Sequence, residues 1–317
     1  MSSLRFPPLP EWTGRDDGLG PERFHQIVQS LELDTVPFAK GRQFAFVGFA
    51  CDEGVRRNQG RPGAANGPEA LRTALSSLAW KTEASFSIID VGDVVCDDSD
   101  LEGAQKELGR VVSVLLAKRY LPIVLGGGHE TAWGHYQGLA AQNKQVLIIN
   151  LDAHYDLRPL VDGKWGSSGT PFLQIAHDCQ ARKIPFSYLC LGIQESSNTE
   201  SLKKTAHNLN VHAVDAQTLH SSGSASTLKL LDDLLAKHAH VYLSLCMDVF
   251  AQAFAPGVSA PQALGLFPTH ILPLLRKIVS SGKVISFDVV ELCPPWDRDQ
   301  QTAKLAASMV WNFMNGF

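Results

Sequence analysis

The sequence predicts an α/β protein of three layers, in which helices cover both faces of a central, mostly parallel sheet of about eight strands. Two observations lead to this prediction. Short apolar runs recur along the 317 residues, most of them continuous, and amphipathic stretches separate them. Continuous apolar runs are typical of strands buried on both faces. Regular alternation of strands and helices is typical of a parallel sheet covered by helices.

The predicted strands are rich in β-branched and aromatic residues. In chain order they begin at Gln43, Phe86, Leu121, Val146, Phe186, Asn210, Val241 and Val284. Helices are predicted for intervening amphipathic stretches such as PEALRTALSSLAW, LEGAQKELGRVVSVLLAKR and SASTLKLLDDLLAKHAH. No change of composition marks a second domain. We therefore predict a single catalytic domain over residues 1–317, with residues 1–40 as an N-terminal extension.

Composition narrows the class of protein. The net charge is −4 and no long basic run occurs, which argues against nucleic acid or an anionic membrane as a partner. The six cysteines are scattered without a CxxC pair, as expected of reduced thiols in the cytoplasm. The sequence also lacks a leader-like apolar region and any apolar run of about 18 residues. We expect a cytoplasmic enzyme that acts on a small molecule.

Polar side chains collect directly after three predicted strands. These side chains are His129 and Glu130 after the third strand, Asp152, His154 and Asp156 after the fourth, and Cys246 and Asp248 after the seventh. Residues at positions i, i+2 and i+4 share one face only on extended backbone, so the second group points into one cavity. Open α/β sheets bind their ligands just beyond the carboxyl ends of the strands.

Such a group of side chains indicates a metal site. Burying carboxylates without partners costs several kcal/mol, and a divalent cation offsets that cost. Carboxylates combined with imidazoles favour Mn²⁺, Zn²⁺ or Fe²⁺, and a site this rich in anionic oxygens can hold two ions. The alternative is that each side chain satisfies a loop or a helix cap on its own. The coincidence at three strand ends favours the metal site.

These segments resemble motifs of the ureohydrolase family, which includes arginases and agmatinases. GGGHE, NLDAHYDLR and SLCMDVFAQAFAPG are similar, in order, to its three metal-binding signatures. GRPGAANGPEALR and FDVVELCP resemble an earlier and a later family segment, so that the likeness extends from about Gly48 to Pro294. The resemblance implies an arginase-like fold, two Mn²⁺ ions per subunit and hydrolysis of a guanidine- or amidine-type C–N bond.

The resemblance also implies roles for individual residues. The implied metal ligands are His129, Asp152, His154, Asp156 and Asp248, with Asp152 as the bridging carboxylate. Asp156 is also implied to be catalytic, because it would orient the attacking water. Glu291 is implied to be catalytic and to receive the cationic guanidinium or amidinium group, which a carboxylate complements through paired hydrogen bonds. The alternative for Glu291 is a surface salt bridge.

Two positions depart from the family pattern. Cys246 occupies the place of a second bridging Asp, and it precedes Asp248 by two residues, so both side chains face the same cavity. We predict that Cys246 is a metal ligand; inert packing is the alternative. Ser168 occupies the place of a His that shuttles protons in arginases and agmatinases. This change argues against the chemistry of those two branches.

Arginines near the predicted site suggest the substrate. We predict that Arg57, Arg61 and Arg158 bind substrate together with Ser168 and Glu291, because arginine forks suit carboxylates. An amidine with two carboxylates is N-formimidoyl-L-glutamate, an intermediate of histidine degradation, which would yield L-glutamate and formamide. Some arginines could instead pair with acids to fix their loop, and Arg56 is the best candidate for that role.

Other functions stay open at this point. They are a guanidine hydrolase similar to agmatinase or guanidinobutyrase, a mononuclear zinc hydrolase of the deacetylase type, and a non-catalytic relative that binds a ligand. Family members form oligomers, so a homo-oligomer is compatible with the resemblance. Cys51 and Cys246 end two predicted strands on the same rim, and we predict a disulfide between them in metal-free, oxidised protein. Two separately packed thiols are the alternative.

Overall fold

The computed structural model describes residues 11–18, 20–80, 87–221 and 225–317. Its strands are β1 (Val28–Ser30), β2 (Phe44–Ala50), β3 (Ile88–Val95), β4 (Leu121–Leu125), β5 (Leu147–Leu151), β6 (Ser187–Ile193), β7 (His212–Asp215), β8 (Val241–Cys246) and β9 (Val284–Val290). Its α-helices are α1 (Phe24–Ile27), α2 (Glu53–Arg57), α3 (Gly67–Ser76), α4 (Leu101–Ala117), α5 (Thr131–Ala141), α6 (Pro171–Arg182), α7 (Glu200–Asn208), α8 (Ala216–Ser221), α9 (Ala225–Lys237), α10 (Pro268–Ser280) and α11 (Gln301–Met314). Among these described helices, none has the length and apolar character needed to cross a membrane.

The strands form one sheet in the order β1-β3-β2-β4-β9-β8-β5-β6-β7, and every neighbouring pair is parallel. The prediction of a central parallel sheet is confirmed, and each of the eight predicted strands is present. The strand predicted from Phe86 begins at Ile88 in the structure. Phe86 itself lies outside the described residues. The additional strand, β1, belongs to the N-terminal segment and pairs with β3, Val28 lying opposite Ile88.

Neighbouring residues of one strand contact opposite layers, which explains why the strands read as continuous apolar runs. Phe44 and Phe46 of β2 belong to a core that also contains buried residues of α3, α10 and α11. Ala45 and Val47 of the same strand pack with buried residues of α4. A third cluster joins β5, β6 and β8 to α5, α6 and α7. The predicted three-layer architecture is therefore confirmed.

The order of the strands brings four strand ends together. β9 lies between β4 and β8, and β8 in turn pairs with β5. All four strands run in the same direction, so the segments that follow them meet at one edge in the middle of the sheet. The predicted metal ligands lie at the ends of β4, β5 and β8, and Glu291 follows β9.

Arg72 of α3 fastens this helix to β3 through a buried ion pair. Its Nε lies 2.7 Å from Asp90 Oδ2, its Nη2 lies 3.0 Å from Asp90 Oδ1, and its Nη1 lies 2.6 Å from Asp93 Oδ1. The Asp90 side chain is fully buried and also accepts a hydrogen bond from Trp12 Nε1 at 3.0 Å. The arginine of the GPEALR segment therefore has a structural role.

Replacing Arg72 by Ala is expected to lower the free energy of unfolding by about 3–5 kcal/mol, because it leaves the buried Asp90 carboxylate without its charge partner. Urea unfolding of the variant and of the unmodified protein would measure the difference. The control is Arg110→Ala, since Arg110 forms a half-exposed pair with Glu107. That variant should lose less than about 1 kcal/mol. Equal losses in the two variants would contradict the proposed importance of burial.

Candidate metal centre

A glycine turn after β4 sets the backbone of the site. A Cβ atom at Gly127 would overlap the carbonyl oxygen of Cys51, so the chain can approach the end of β2 this closely only with glycine. Gly128 N donates to Cys51 O at 3.0 Å, and Glu291 N donates to Gly127 O at 2.7 Å. The ends of β2, β4 and β9 are thereby joined, and His129 follows directly.

His129 meets two carboxylates from the end of β5. Its Nδ1 lies 2.9 Å from Asp152 Oδ2 and 2.9 Å from Asp156 Oδ2. Neither contact has hydrogen-bond geometry, so this buried nitrogen has no hydrogen-bond partner among the described residues. Three ligand atoms thus converge from different directions, as they do around a cation.

Two groups of ligand atoms share one residue. His129, Asp152 and Cys246 form one group, and Asp152, His154 and Asp248 form the other, with the ligand atoms of each group within 4.8 Å of one another. Within the second group His154 Nδ1 lies 3.2 Å from Asp248 Oδ2. The shared carboxylate is suited to bridge two ions. The structure therefore brings all six predicted ligands together.

Burial and mutual repulsion perturb the ionisation of this cluster. Burial raises the pKa of Asp156, and the Asp152 carboxylate raises it further. Burial likewise raises the pKa of Asp248, although His154 partly offsets the effect. The pKa of the Cys246 thiol is raised well above its usual value by burial and then by Asp152 and Asp248. A divalent cation would reverse these shifts and supply a partner for Asp248 Oδ1, which is buried and has no hydrogen-bond partner within the described part of the chain. The ligand set therefore fits a divalent metal.

Glu291 presents one free carboxylate oxygen to the site. Its backbone has a φ of 66°, a left-handed conformation that is uncommon for a glutamate and often occurs at functional sites. Oε1 accepts a hydrogen bond from His129 N at 2.8 Å, whereas Oε2 is buried and has no partner among the described residues. Burial, then the carboxylates of Glu130 and Asp248, raises the pKa of Glu291. Because the side chain is buried, a surface salt bridge is excluded.

A cavity of about 300 Å³ opens above these residues. Besides Glu291 and every predicted ligand except Asp152, its lining includes Arg158, Arg61, Ser168 and Asn58. Arg158 is exposed, and none of the described acidic residues pairs with its guanidinium group. Ser168 Oγ accepts a hydrogen bond from Asn58 Nδ2 at 3.1 Å. Asn58 had no predicted role, because nothing in its local sequence distinguishes it from other loop residues.

The remaining arginines serve the surrounding loops. Arg57 does not line the cavity: its guanidinium group contacts Glu53 at 3.0 Å and Glu102 at 2.7 Å. The geometry thus favours loop fixing for Arg57 over the predicted contact with substrate. Arg61 lines the cavity but donates from Nη2 to the carbonyl oxygen of Val258 at 2.6 Å. Arg56 pairs with Asp52, also as a loop contact.

Two residues that hold the ligands were not predicted from the sequence. Asn150 Nδ2 donates to Asp152 Oδ2 at 3.0 Å, and Ser244 Oγ lies 3.0 Å from His129 Nε2. Both are fully buried, and each lies two residues before a predicted ligand: Asn150 precedes Asp152 at the end of β5, and Ser244 precedes Cys246 on β8. The two-residue period of a strand is therefore the signal that could have identified them.

Cys51 and Cys246 are both buried free thiols in the structure. Cys51 Sγ lies 3.7 Å from Glu130 Oε1, and the thiol also interacts with Cys96 on the neighbouring strand end. Hydrogen bonding to Cys96 and burial both raise the pKa of Cys51. A disulfide between Cys51 and Cys246 stays a prediction.

Comparison with known proteins identifies the family. A family model described as "Arginase family" matches residues 42–316. The chain belongs to the arginase family. A formimidoylglutamase of Legionella pneumophila is 43% identical over 94% of this chain and 93% of that protein. A formimidoylglutamase of Clostridium tetani is 39% identical over 99% of this chain and 97% of that protein.

Solved structures of the arginase family have the same fold. Formimidoylglutamase from Bacillus subtilis superposes with a TM-score of 0.83 at 23% identity, covering 95% of each chain. Formiminoglutamase from Trypanosoma cruzi, solved with Mn²⁺, has a TM-score of 0.77 at 26% identity, covering 90% of this chain and 98% of that one. The arginase-like fold predicted from the sequence is confirmed.

Proposed function

We propose that the protein is a formimidoylglutamase, a metal-dependent hydrolase that converts N-formimidoyl-L-glutamate and water into L-glutamate and formamide. It would act in histidine degradation in the cytoplasm. The main support within the molecule is that one cavity is lined by most of the proposed metal ligands, by Glu291, and by Arg158, whose guanidinium group has no acidic partner among the described residues. Relatives named formimidoylglutamase, similar over nearly the whole chain, support this substrate.

The ligand set would hold two Mn²⁺ ions, with Asp152 between them. His129, Asp156 and Cys246 would complete one position, and His154 and Asp248 the other. When bound, such ions supply an ionised water nucleophile at neutral pH. The Cys246 thiol must release its proton to act as a ligand, so metal binding at this site is coupled to proton release.

Glu291 and Asp156 then act on the substrate amidine. Glu291 Oε2 accepts a hydrogen bond from the amidinium nitrogen and holds the carbon over the centre, because Oε1 is already fixed by His129 N. Asp156 orients the attacking water and accepts its proton. The leaving glutamate nitrogen takes up a proton as the C–N bond breaks. We assign Asp156 as the donor, since it has accepted the proton of the attacking water and can pass it on to this nitrogen.

Arg158 recognises the glutamate part of the substrate. A guanidinium group that lines the cavity and lacks an acidic partner can bind a substrate carboxylate through two parallel hydrogen bonds. Asn58 Nδ2 and Ser168 Oγ lie on the same cavity wall and offer further polar contacts. Arg61 contributes mainly to the shape of this wall, because two of its guanidinium nitrogens already donate hydrogen bonds to backbone carbonyl oxygens.

The proposed function is tested by product analysis of the Mn²⁺-loaded protein. The substrates are N-formimidoyl-L-glutamate, agmatine, 4-guanidinobutyrate and L-arginine, and the products measured are formamide and urea. Formamide from the first compound, without urea from the others, is expected. Release of urea from any of the three guanidine compounds would show instead that the protein is a guanidine hydrolase. Tight binding of N-formimidoyl-L-glutamate without turnover would indicate a non-catalytic relative.

Replacing Arg158 by Ala is expected to raise KM about tenfold to thirtyfold, which corresponds to ~1.5–2 kcal/mol for one charge-assisted contact at an exposed position. The value of kcat should change much less, because Arg158 binds a part of the substrate remote from the reacting carbon. The control is Arg56→Ala, which removes another exposed arginine outside the cavity. An unchanged KM in the Arg158 variant would contradict the proposed carboxylate contact.

A further inference from the structure

A buried polar network lies behind His129, on the side opposite to the other metal ligands. Ser244 Oγ lies 3.0 Å from His129 Nε2, and it donates to Asp288 Oδ1 at 2.5 Å. Ser244 and Asp288 are completely buried on the adjacent strands β8 and β9. The mechanism proposed above uses neither residue. The Ser244 hydroxyl has one proton, and it donates this proton to Asp288. Ser244 Oγ must therefore accept a hydrogen bond from His129, so the proton of the His129 imidazole lies on Nε2.

The network continues to His135 of α5 and to Ser286, whose hydroxyl donates to the carbonyl oxygen of Pro122 at 3.3 Å. The Nδ1 of His135 lies 2.7 Å from Asp288 Oδ2, and its Nε2 contacts Ser286 Oγ. Tyr242 donates to the same Asp288 oxygen at 2.5 Å. His135, Tyr242 and Ser286 are fully buried, so these contacts lie in a part of the protein from which water is excluded. A carboxylate in such a place depends on its donors for stabilisation.

We propose that His135 is a positioning residue of the metal centre, which acts on His129 through Asp288 and Ser244. His135 holds Asp288 in the orientation that accepts the Ser244 hydroxyl proton. Ser244 then presents a lone pair to the Nε2–H of His129 and leaves Nδ1 free to bind metal. Carboxylates behind a ligating histidine fix its tautomer and raise its basicity. Here a hydroxyl is interposed, and a second histidine supports the carboxylate. The inference rests on the metal centre of the proposed function.

Two substitutions of His135, each of which keeps one of its two nitrogen positions, distinguish a positioning role from a role in core packing alone. In His135→Asn, the new amide nitrogen takes approximately the place of Nδ1 and can still donate to Asp288. In His135→Gln, the amide nitrogen takes approximately the place of Nε2 and can reach only Ser286. Both substitutions disturb the packing of α5. They differ in whether the connection to His129 is kept.

The experiment measures Mn²⁺ dissociation constants of the full-length variants by calorimetric titration, together with metal content. We expect His135→Gln to weaken Mn²⁺ binding about tenfold to a hundredfold and His135→Asn to change it less than about threefold. Equal affinities in the two variants, or weaker binding by His135→Asn, would overturn the proposal. Failure of the unmodified protein to bind Mn²⁺ would overturn the proposed metal centre as well.

A second pair of variants applies if a His135 variant does not fold. Ser244→Ala removes the hydroxyl that contacts His129, whereas Ser286→Ala removes a buried hydroxyl of the same network that does not. Weaker Mn²⁺ binding in the Ser244 variant alone is expected. Equal binding in the two serine variants would show that the network only fills the core, and would overturn the proposal.

Discussion

Replacing Asp152 by Asn is expected to remove most bound Mn²⁺ and to reduce kcat/KM by three orders of magnitude or more, about 4 kcal/mol. Asp152 belongs to both groups of ligand atoms, so losing its charge weakens both metal positions. The fold should survive. Asp152 accepts hydrogen bonds from His154 N and Asn150 Nδ2, and the unpartnered Oδ1 of Asn150 could accept from the new amide if Asn150 turns over.

Metal content, activity and thermal unfolding of the Asp152 variant test this expectation together. The control is Asp232→Asn, which makes the same change at an exposed pair with Lys277. The control should keep its metal and activity. A folded Asp152 variant with two Mn²⁺ per chain and full activity would refute the assignment of the bridging ligand.

Replacing Glu291 by Gln is expected to lower kcat/KM by about a hundredfold or more, ~3 kcal/mol, while Mn²⁺ binding is retained. The substitution keeps an oxygen that can accept from His129 N but removes the charge that the amidinium group meets at Oε2. Retention of metal would separate the role of Glu291 from that of Asp152. Glu195→Gln, at an exposed side chain, is the matched control.

Loss of Mn²⁺ from the Glu291 variant would contradict this division of roles, because it would make Glu291 part of the metal centre. Unchanged kcat/KM would contradict the amidinium contact. The measurement requires N-formimidoyl-L-glutamate at concentrations below KM, where the rate reports kcat/KM directly.

Elements of the fold could be predicted where burial produces a recognisable pattern of apolar residues in the local sequence. Strands such as β4 and β5 are buried along their whole length, so each appears as a continuous apolar run. β1 could not be found in this way, because three partly exposed residues carry no periodicity. Its place in the sheet depends on pairing with Ile88–Asp90, about 60 positions further along the chain.

The candidate site could likewise be predicted only in part. The proposed ligands were predictable because each lies at or after the end of a strand, and because the family motifs contain them in order. The contacts behind them are long-range: Ser244 is 115 positions from His129, and Asp288 is 153 positions from His135. Arg57 shows the same limit, since its partner Glu102 lies 45 positions away and nothing near Arg57 indicates that pair.

The central position of β9 has a consequence for biosynthesis. Without β9 the sheet consists of two separate halves, β1-β3-β2-β4 and β8-β5-β6-β7, because no other strand pairs with both β4 and β8 in the described chain. β9 leaves the ribosome after the other strands of the described chain, and Glu291 follows it directly. A nascent or prematurely terminated chain without β9 therefore lacks the strand pairs that link β4 to β8, and it also lacks Glu291. The proposed activity therefore requires that translation has passed β9.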